Sequence, residues 1–188
     1  MSSGEFLKIK VKYETNSNFE PLNVTVMRFL GQHKSSELYK LDQRTKIIQY
    51  SFRDKNGEVH EIEKPINGKI QITTPSILTS MLMTLTKKID PVARTTYNVI
   101  TSKNIFEYES PLQETNVYIE LMSAEPVPVK IHRQDLTSTL CHVFQHDKSS
   151  DHKEKGVAFY LSKHFAIPYL VKPQDGIEIK IDKLTSTS

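Results

Sequence analysis

The sequence predicts an α+β fold, an antiparallel sheet packed with two or three helices. It forms a single domain over residues 5–184, with 1–4 and 185–188 as frayed ends. Three observations predict it. Several stretches alternate apolar and polar residues with the period of two that a half-buried strand imposes. Others repeat apolar residues at helical spacing. Asn-Gly and Asp-Gly pairs fall between stretches, where their tolerance of positive φ makes tight turns.

Leu7, Ile9, Val11 and Tyr13 alternate with Lys8, Lys10 and Lys12, so a first strand carries all three lysines on its solvated face. The lysines read in two ways, as charge guarding a sheet edge against stray pairing or as part of a basic contact surface. After Asn16-Ser17-Asn18, the spacing of Leu22, Val26, Phe29 and Leu30 predicts a helix stopped by Gly31. His33 to Arg44 is polar and reads as a loop. Ile48, Tyr50 and Phe52 predict a strand, Lys55-Asn56-Gly57 a hairpin turn, and Val59 to Ile62 the return strand. Asn67-Gly68 repeats the turn before Ile70 and Ile72.

The strongest helix signal follows. Thr74 is a cap, Pro75 suits the first turn, and Ile77, Leu78, Met81, Leu82, Leu85 and Ile89 form one stripe ended by Asp90-Pro91. Tyr97 and Val99 predict one strand and Ile105 to Tyr108 another. Val117, Ile119 and Leu121 alternate, Glu125-Pro126 turns the chain, and Val127, Val129 and Ile131 alternate again, with Pro126 and Pro128 placing that strand at an edge. Asp135 caps a further predicted helix carrying Leu136, Leu140, Val143 and Phe144. Val157, Phe159 and Leu161 predict a strand, and Ile177, Ile179 and Ile181 the last one, after Asp175-Gly176. The order from Val117 to Ile181 also fits a ubiquitin-like β-grasp module, the alternative fold, singly or as a tandem pair.

At 188 residues with a formal charge of +3, the chain is large enough for one well-buried core and only mildly basic. Its single cysteine, Cys141, excludes an internal disulfide and suits a reducing compartment. No apolar run approaches the roughly 20 residues of a membrane-spanning helix, and Met1 to Glu5 does not open like a signal peptide. A cytosolic or nuclear chain is expected.

Catalytic patterns are missing from the sequence. It has no Gly-x-Ser-x-Gly elbow, Walker loop or Gly-rich dinucleotide turn, and Ser149-Ser150-Asp151-His152 is adjacency without a mechanism, because triads assemble in space. Cys141, His142, His146 and His152 lack the zinc-hydrolase Glu and a second ligand pair. No enzyme, cofactor or metal is therefore expected. Basic residues form four groups: Lys8, Lys10 and Lys12; Lys34, Lys40, Arg44 and Lys46; Lys87, Lys88 and Arg94; and Lys148, Lys153 and Lys155. Of these, Lys8, Lys10, Lys12, Lys34, Lys40, Lys148, Lys153 and Lys155 are the candidate contact to an anionic membrane surface or another polyanion, each lysine contributing about 1 kcal/mol near an anionic leaflet. Even dispersal among acidic residues is the competing reading. Aromatic residues do not interleave with the clusters, so no sequence-specific nucleic-acid recognition is expected.

Thr95-Thr96-Tyr97-Asn98-Val99, with Tyr108 and Ser110-Pro111-Leu112, resembles a segment of rhabdovirus matrix proteins of the fish-virus type. His142-Val143-Phe144, Lys148, Ser150-Asp151, Glu154-Lys155, Phe159 and Leu161 resemble the late segment of vesiculovirus-type matrix proteins, and Phe6, Ile9, Val11, Asn16, Ser17 and Phe19 their first strand and turn. The resemblance implies a viral matrix-like domain that self-associates as a homomultimer and condenses the viral nucleocapsid. It would link that nucleocapsid to the inner membrane leaflet and the glycoprotein cytoplasmic tail during virion assembly and budding. It implies residence in the virion interior and in the host cytoplasm at the inner membrane face, with the host nucleus a further compartment. Neither a Pro-Pro-x-Tyr nor a Pro-Ser/Thr-Ala-Pro budding motif is present, which points to a plant-infecting member. A non-enzymatic β-grasp adaptor for a protein partner is the alternative function.

Overall fold

The computed structural model describes residues 6–131, 133–145, 156–162, 167–173, 176 and 178–180. The described chain is mostly strand, 57% against 5% helix. It divides into two compact units, one of Met1–Ser80 with Asn98–Glu114, the other of Met81–Tyr97 with Thr115–Ser188. The α+β expectation, in both its matrix-like and β-grasp forms, is overturned, because the helices predicted to pack on the sheet are themselves largely strands.

The first unit is built on an antiparallel meander of β1 (Lys8–Thr15), β2 (Pro21–Leu30), β3 (His33–Asp42), β4 (Ile47–Arg53) and β5 (Val59–Pro65), paired in chain order. Its turns are set by side chains that accept backbone N–H groups. Asn16 Oδ1 takes the N–H of Asn18 and Glu20 at 2.9 and 3.0 Å, and Asp54 Oδ1 takes those of Asn56 and Glu58 at 2.8 and 2.9 Å. Gly57 at φ 91° completes the predicted Asn-Gly hairpin.

Two corrections lie in this sheet. The predicted helix from Leu22 is β2, whose Val24, Thr25 and Val26 favour extended backbone and whose two edges pair with β1 and β3. The predicted loop from His33 is β3. Its alternation is hidden because two of its inward positions, Ser35 and Glu37, are polar yet almost fully buried.

Behind the sheet, Val24, Val26, Tyr39, Leu41, Ile48, Tyr50 and Phe52 pack with Ile66, Ile70, Ile72, Ile100 and Leu112 into one core. β6 (Gln71–Ile72) pairs in parallel with Val99 and Ile100 of β7 (Thr95–Thr101). Ile105 to Tyr108, expected as a strand, is irregular. Its carbonyls bond outside a ladder, with Phe106 accepting from the Lys55 N–H at 2.9 Å and Ile105 from the Ser35 hydroxyl.

A polar network runs through this core. Arg28 and Glu37, 4% and 1% exposed, form an ion pair. The Glu37 carboxylate also accepts the hydroxyls of Tyr39 and, at 3.2 Å, Tyr50. Tyr50 accepts in turn from Asn104 Nδ2 at 3.0 Å, while Asn104 Oδ1 takes the backbone N–H groups of Glu109 and Ser110. The network ties the meander to the segment that returns after β7.

The long helix predicted from Thr74 shrinks to α1 (Ile77–Ser80) and α2 (Met83–Thr86), four residues each, parted where the chain passes from one unit to the other. Hydroxyls compete with helical hydrogen bonding there. Ser80 Oγ donates to Thr74 O at 2.9 Å, and Thr84 and Thr86 donate to Met81 O and Met83 O at 2.8 and 2.7 Å.

The second unit is organised on β10 (Gln134–Gln145), expected as a helix from Asp135. Leu136, Leu140 and Phe144 do fall at helical spacing, but Thr137, Thr139 and Val143 are β-branched and the segment is paired along both edges. One edge takes β9 (Val127–Ile131) and then β8 (Gln113–Leu121); the other takes β11 (Val157–Ser162), followed by β12 (Pro168–Lys172) and β13 (Ile179–Lys180). β8 and β9 thus act as one strand interrupted near Ser123 and Glu125. Ser138 Oγ pins its resumption by donating to Val127 O at 2.8 Å. The edge position predicted from Pro128 agrees with this, since β9 pairs only with β10 among the described strands. β12 had no counterpart among the predicted elements.

A methyl group at Gly156 would sit 2.7 and 2.8 Å from Cε1 and Cζ of Phe144, a buried ring that also meets the Arg94 guanidinium, 4.5 Å from its centroid. Gly156→Ala should cost about 1–3 kcal/mol by overpacking, read as a lowered urea midpoint at unchanged slope.

Burial pushes the hydroxyls of Tyr13 and Tyr97 from 10.0 up to about 12, and raises Tyr39 and Tyr50 also, with the Glu37 charge adding to both. Unfolded tyrosines lose their protons near pH 10, so above that value the native chain binds more protons and stability falls as pH rises. Denaturant midpoints should hold below pH 9 and drop between pH 10 and 12.

Candidate anionic-surface interface

Register places the outward residues of the meander in rows. Lys8 lies opposite Phe29, which lies opposite Lys34; Lys10 opposite Met27, Ser36 and Arg53; Lys12 opposite Thr25, Leu38, Ser51 and Glu61; Glu14 opposite Asn23, Lys40, Gln49 and Glu63. Directly paired residues share a face. Lys8, Lys10, Lys12, Lys34 and Lys40 therefore converge on the outer face of one sheet, and all are exposed. Lys148, Lys153 and Lys155 lie outside the described residues.

The basic end of this face is arranged around an aromatic ring. Lys10 Nζ and Lys34 Nζ stand 5.9 and 5.8 Å from the Phe29 centroid, so each ammonium group is drawn to the ring's π-system while both side chains remain open to solvent. Lys12 bonds Glu14 at 2.6 Å, and that contact, with a hydrogen bond from Asn23, holds the Glu14 carboxyl below its usual range. Arg53 adds a further cation to the same face.

Across the sheet the sign reverses. Glu61 and Glu63 on β5 border a depression of about 440 Å³ lined also by Leu38, Lys40, Gln49 and Ser51. Glu63 is held by Gln49 Nε2 at 2.7 Å. The depression sets one lysine among two glutamates and apolar side chains, which makes it an amphipathic seat.

The remaining sequence candidates are dispersed. Arg94 is engaged with Phe144 and with Glu120 at 3.7 Å. Cys141 is fully buried in the second unit, its thiol pushed up to about 11 by burial, which suits packing and not ligation. His142 packs edge-on to Phe144, and His146 and His152 lie outside the described residues. One group of ligand-type side chains was not anticipated: Asp54, Glu58 and His60 at the β4–β5 hairpin, with ligand atoms within 4.8 Å of one another. Asp54 there is occupied as the hairpin cap, and His60 stacks on Tyr108 at 4.2 Å.

Sequence reading missed Phe29, Arg53, Glu61 and Glu63 as members of this face. The available signal was the alternation of Val24 and Val26, which pairs β2 with the lysine strand once it is read as extended. Comparison with protein families, curated proteins and solved structures gives no match.

Proposed function

We propose that the chain is a non-enzymatic structural protein of the matrix type. It assembles with itself, docks on an anionic membrane leaflet through the outer face of its meander, and links that leaflet to a viral nucleocapsid and a glycoprotein tail. One observation supports the docking step above the others. Lysines scattered over more than thirty positions of sequence are gathered onto one exposed sheet face by strand register. Each lysine contributes about 1 kcal/mol near such a leaflet, and repetition over an assembled layer multiplies weak contacts into firm attachment. The matrix role itself draws on the sequence resemblance, and its implied partners follow from that.

Sedimentation velocity of the purified chain from low to near-molar salt tests the assembly step. Large species that dissolve as salt rises are the expected result, because exposed charged contacts are screened over about a Debye length. A monomer at every salt and protein concentration would remove the matrix reading.

A further inference from the structure

The two edges of the meander differ in sign. β1 carries Lys8, Lys10 and Lys12 on the outer face, and β5 carries Glu61 and Glu63 on the same face. Each is a terminal strand of the five-stranded sheet, paired on one side only among the described residues. Such an edge presents unused backbone N–H and C=O groups to another strand.

We propose that these edges pair with each other between copies, β1 of one copy lying parallel to β5 of the next, with Lys10 beside Glu61 and Lys12 beside Glu63. The inference rests on the self-assembling reading above and names the contact that would build the assembly. Strand direction alternates across the meander, so β1 and β5 run the same way and a second copy in the same orientation meets the first in parallel. Its outer face then continues the outer face of its neighbour. In this register Val11 falls beside Ile62 on the inner face, where both are partly buried side chains of the core.

The charge pattern also selects against the alternatives. With faces continuous, β1 against a second β1 sets lysine beside lysine, and β5 against a second β5 sets glutamate beside glutamate; like charges directly opposite are destabilising. An antiparallel β1–β5 contact puts the lysines and glutamates on opposite faces. The head-to-tail contact sets two lysines directly beside two glutamates, and because its two sides differ it propagates as an open array when the rotation does not close. Edge lysines alone are a common guard against pairing, but a matching acidic edge on the same face goes beyond what guarding needs.

The test is sedimentation velocity of the full chain at low salt with four proteins: wild type, K10E/K12E, E61K/E63K and the variant carrying all four reversals. Circular dichroism checks that each keeps its fold. Each double variant should assemble at least about tenfold more weakly than wild type. The fourfold reversal should restore assembly, as should mixing the two double variants. E61K/E63K should still bind anionic vesicles, which separates assembly from docking. Wild-type-like assembly of both double variants would overturn the edge contact while leaving self-assembly standing, and failure of both the fourfold reversal and the mixture would overturn it too. A wild-type chain that never assembles would defeat this contact and the underlying reading together.

Discussion

Replacing Glu37 with Ala lowers the unfolding free energy by about 3–5 kcal/mol, the loss expected when one member of a buried ion pair is removed and the other is left charged in the core. Arg28 is 4% exposed, so bulk solvent does not reach the guanidinium to replace the lost carboxylate. The same substitution strips the acceptor from the Tyr39 and Tyr50 hydroxyls, which Glu37 holds at the centre of the network. Arg28→Met with Glu37→Leu, which removes both charges and keeps most of the volume, should cost less than either single substitution. Urea unfolding of wild type, Arg28→Met, Glu37→Leu and the double variant measures this directly. A loss in the double variant equal to the sum of the two single losses would mean that the pair is not coupled.

The triple variant K8E/K10E/K12E should lose more than a hundredfold in affinity for vesicles rich in phosphatidylserine. Three lysines at about 1 kcal/mol each account for about 3 kcal/mol, and reversal adds repulsion to the lost attraction. The fold should survive, because all three side chains are exposed on a terminal strand. Its stability is therefore the control that separates docking from folding. Unchanged vesicle binding by a natively folded triple variant would remove this face as the contact.

Local alternation was legible wherever inward residues are apolar, as in β1, β4 and β8, and the Asn56-Gly57 turn was legible because positive φ there needs Gly. β3 was not, since a strand that buries Ser35 and Glu37 shows its reason only once Arg28 and Tyr50 are in place. β2 and β10 carried apolar residues at helical spacing, and the deciding fact was pairing on both edges by distant segments. The Thr74 stripe was apolar enough for a helix, but the hydroxyls of Ser80, Thr84 and Thr86 bind carbonyls that a helix would use.

The lysine face followed the same logic. Lys8, Lys10 and Lys12 were visible as one face from their own alternation, whereas Lys34 and Lys40 join them only through the register of β2 with β3. Glu61 and Glu63, which give the sheet its second sign, carried no local signal beyond a solvated strand.

Docking of the meander's outer face on an anionic surface is read by co-sedimentation of the wild-type chain with vesicles. Phosphatidylserine content and salt are varied together. Bound fraction should climb with anionic lipid and fall as salt approaches molar, the signature of several exposed lysines acting through screened charge. Equal binding to neutral vesicles, or none to anionic ones at low salt, would contradict it.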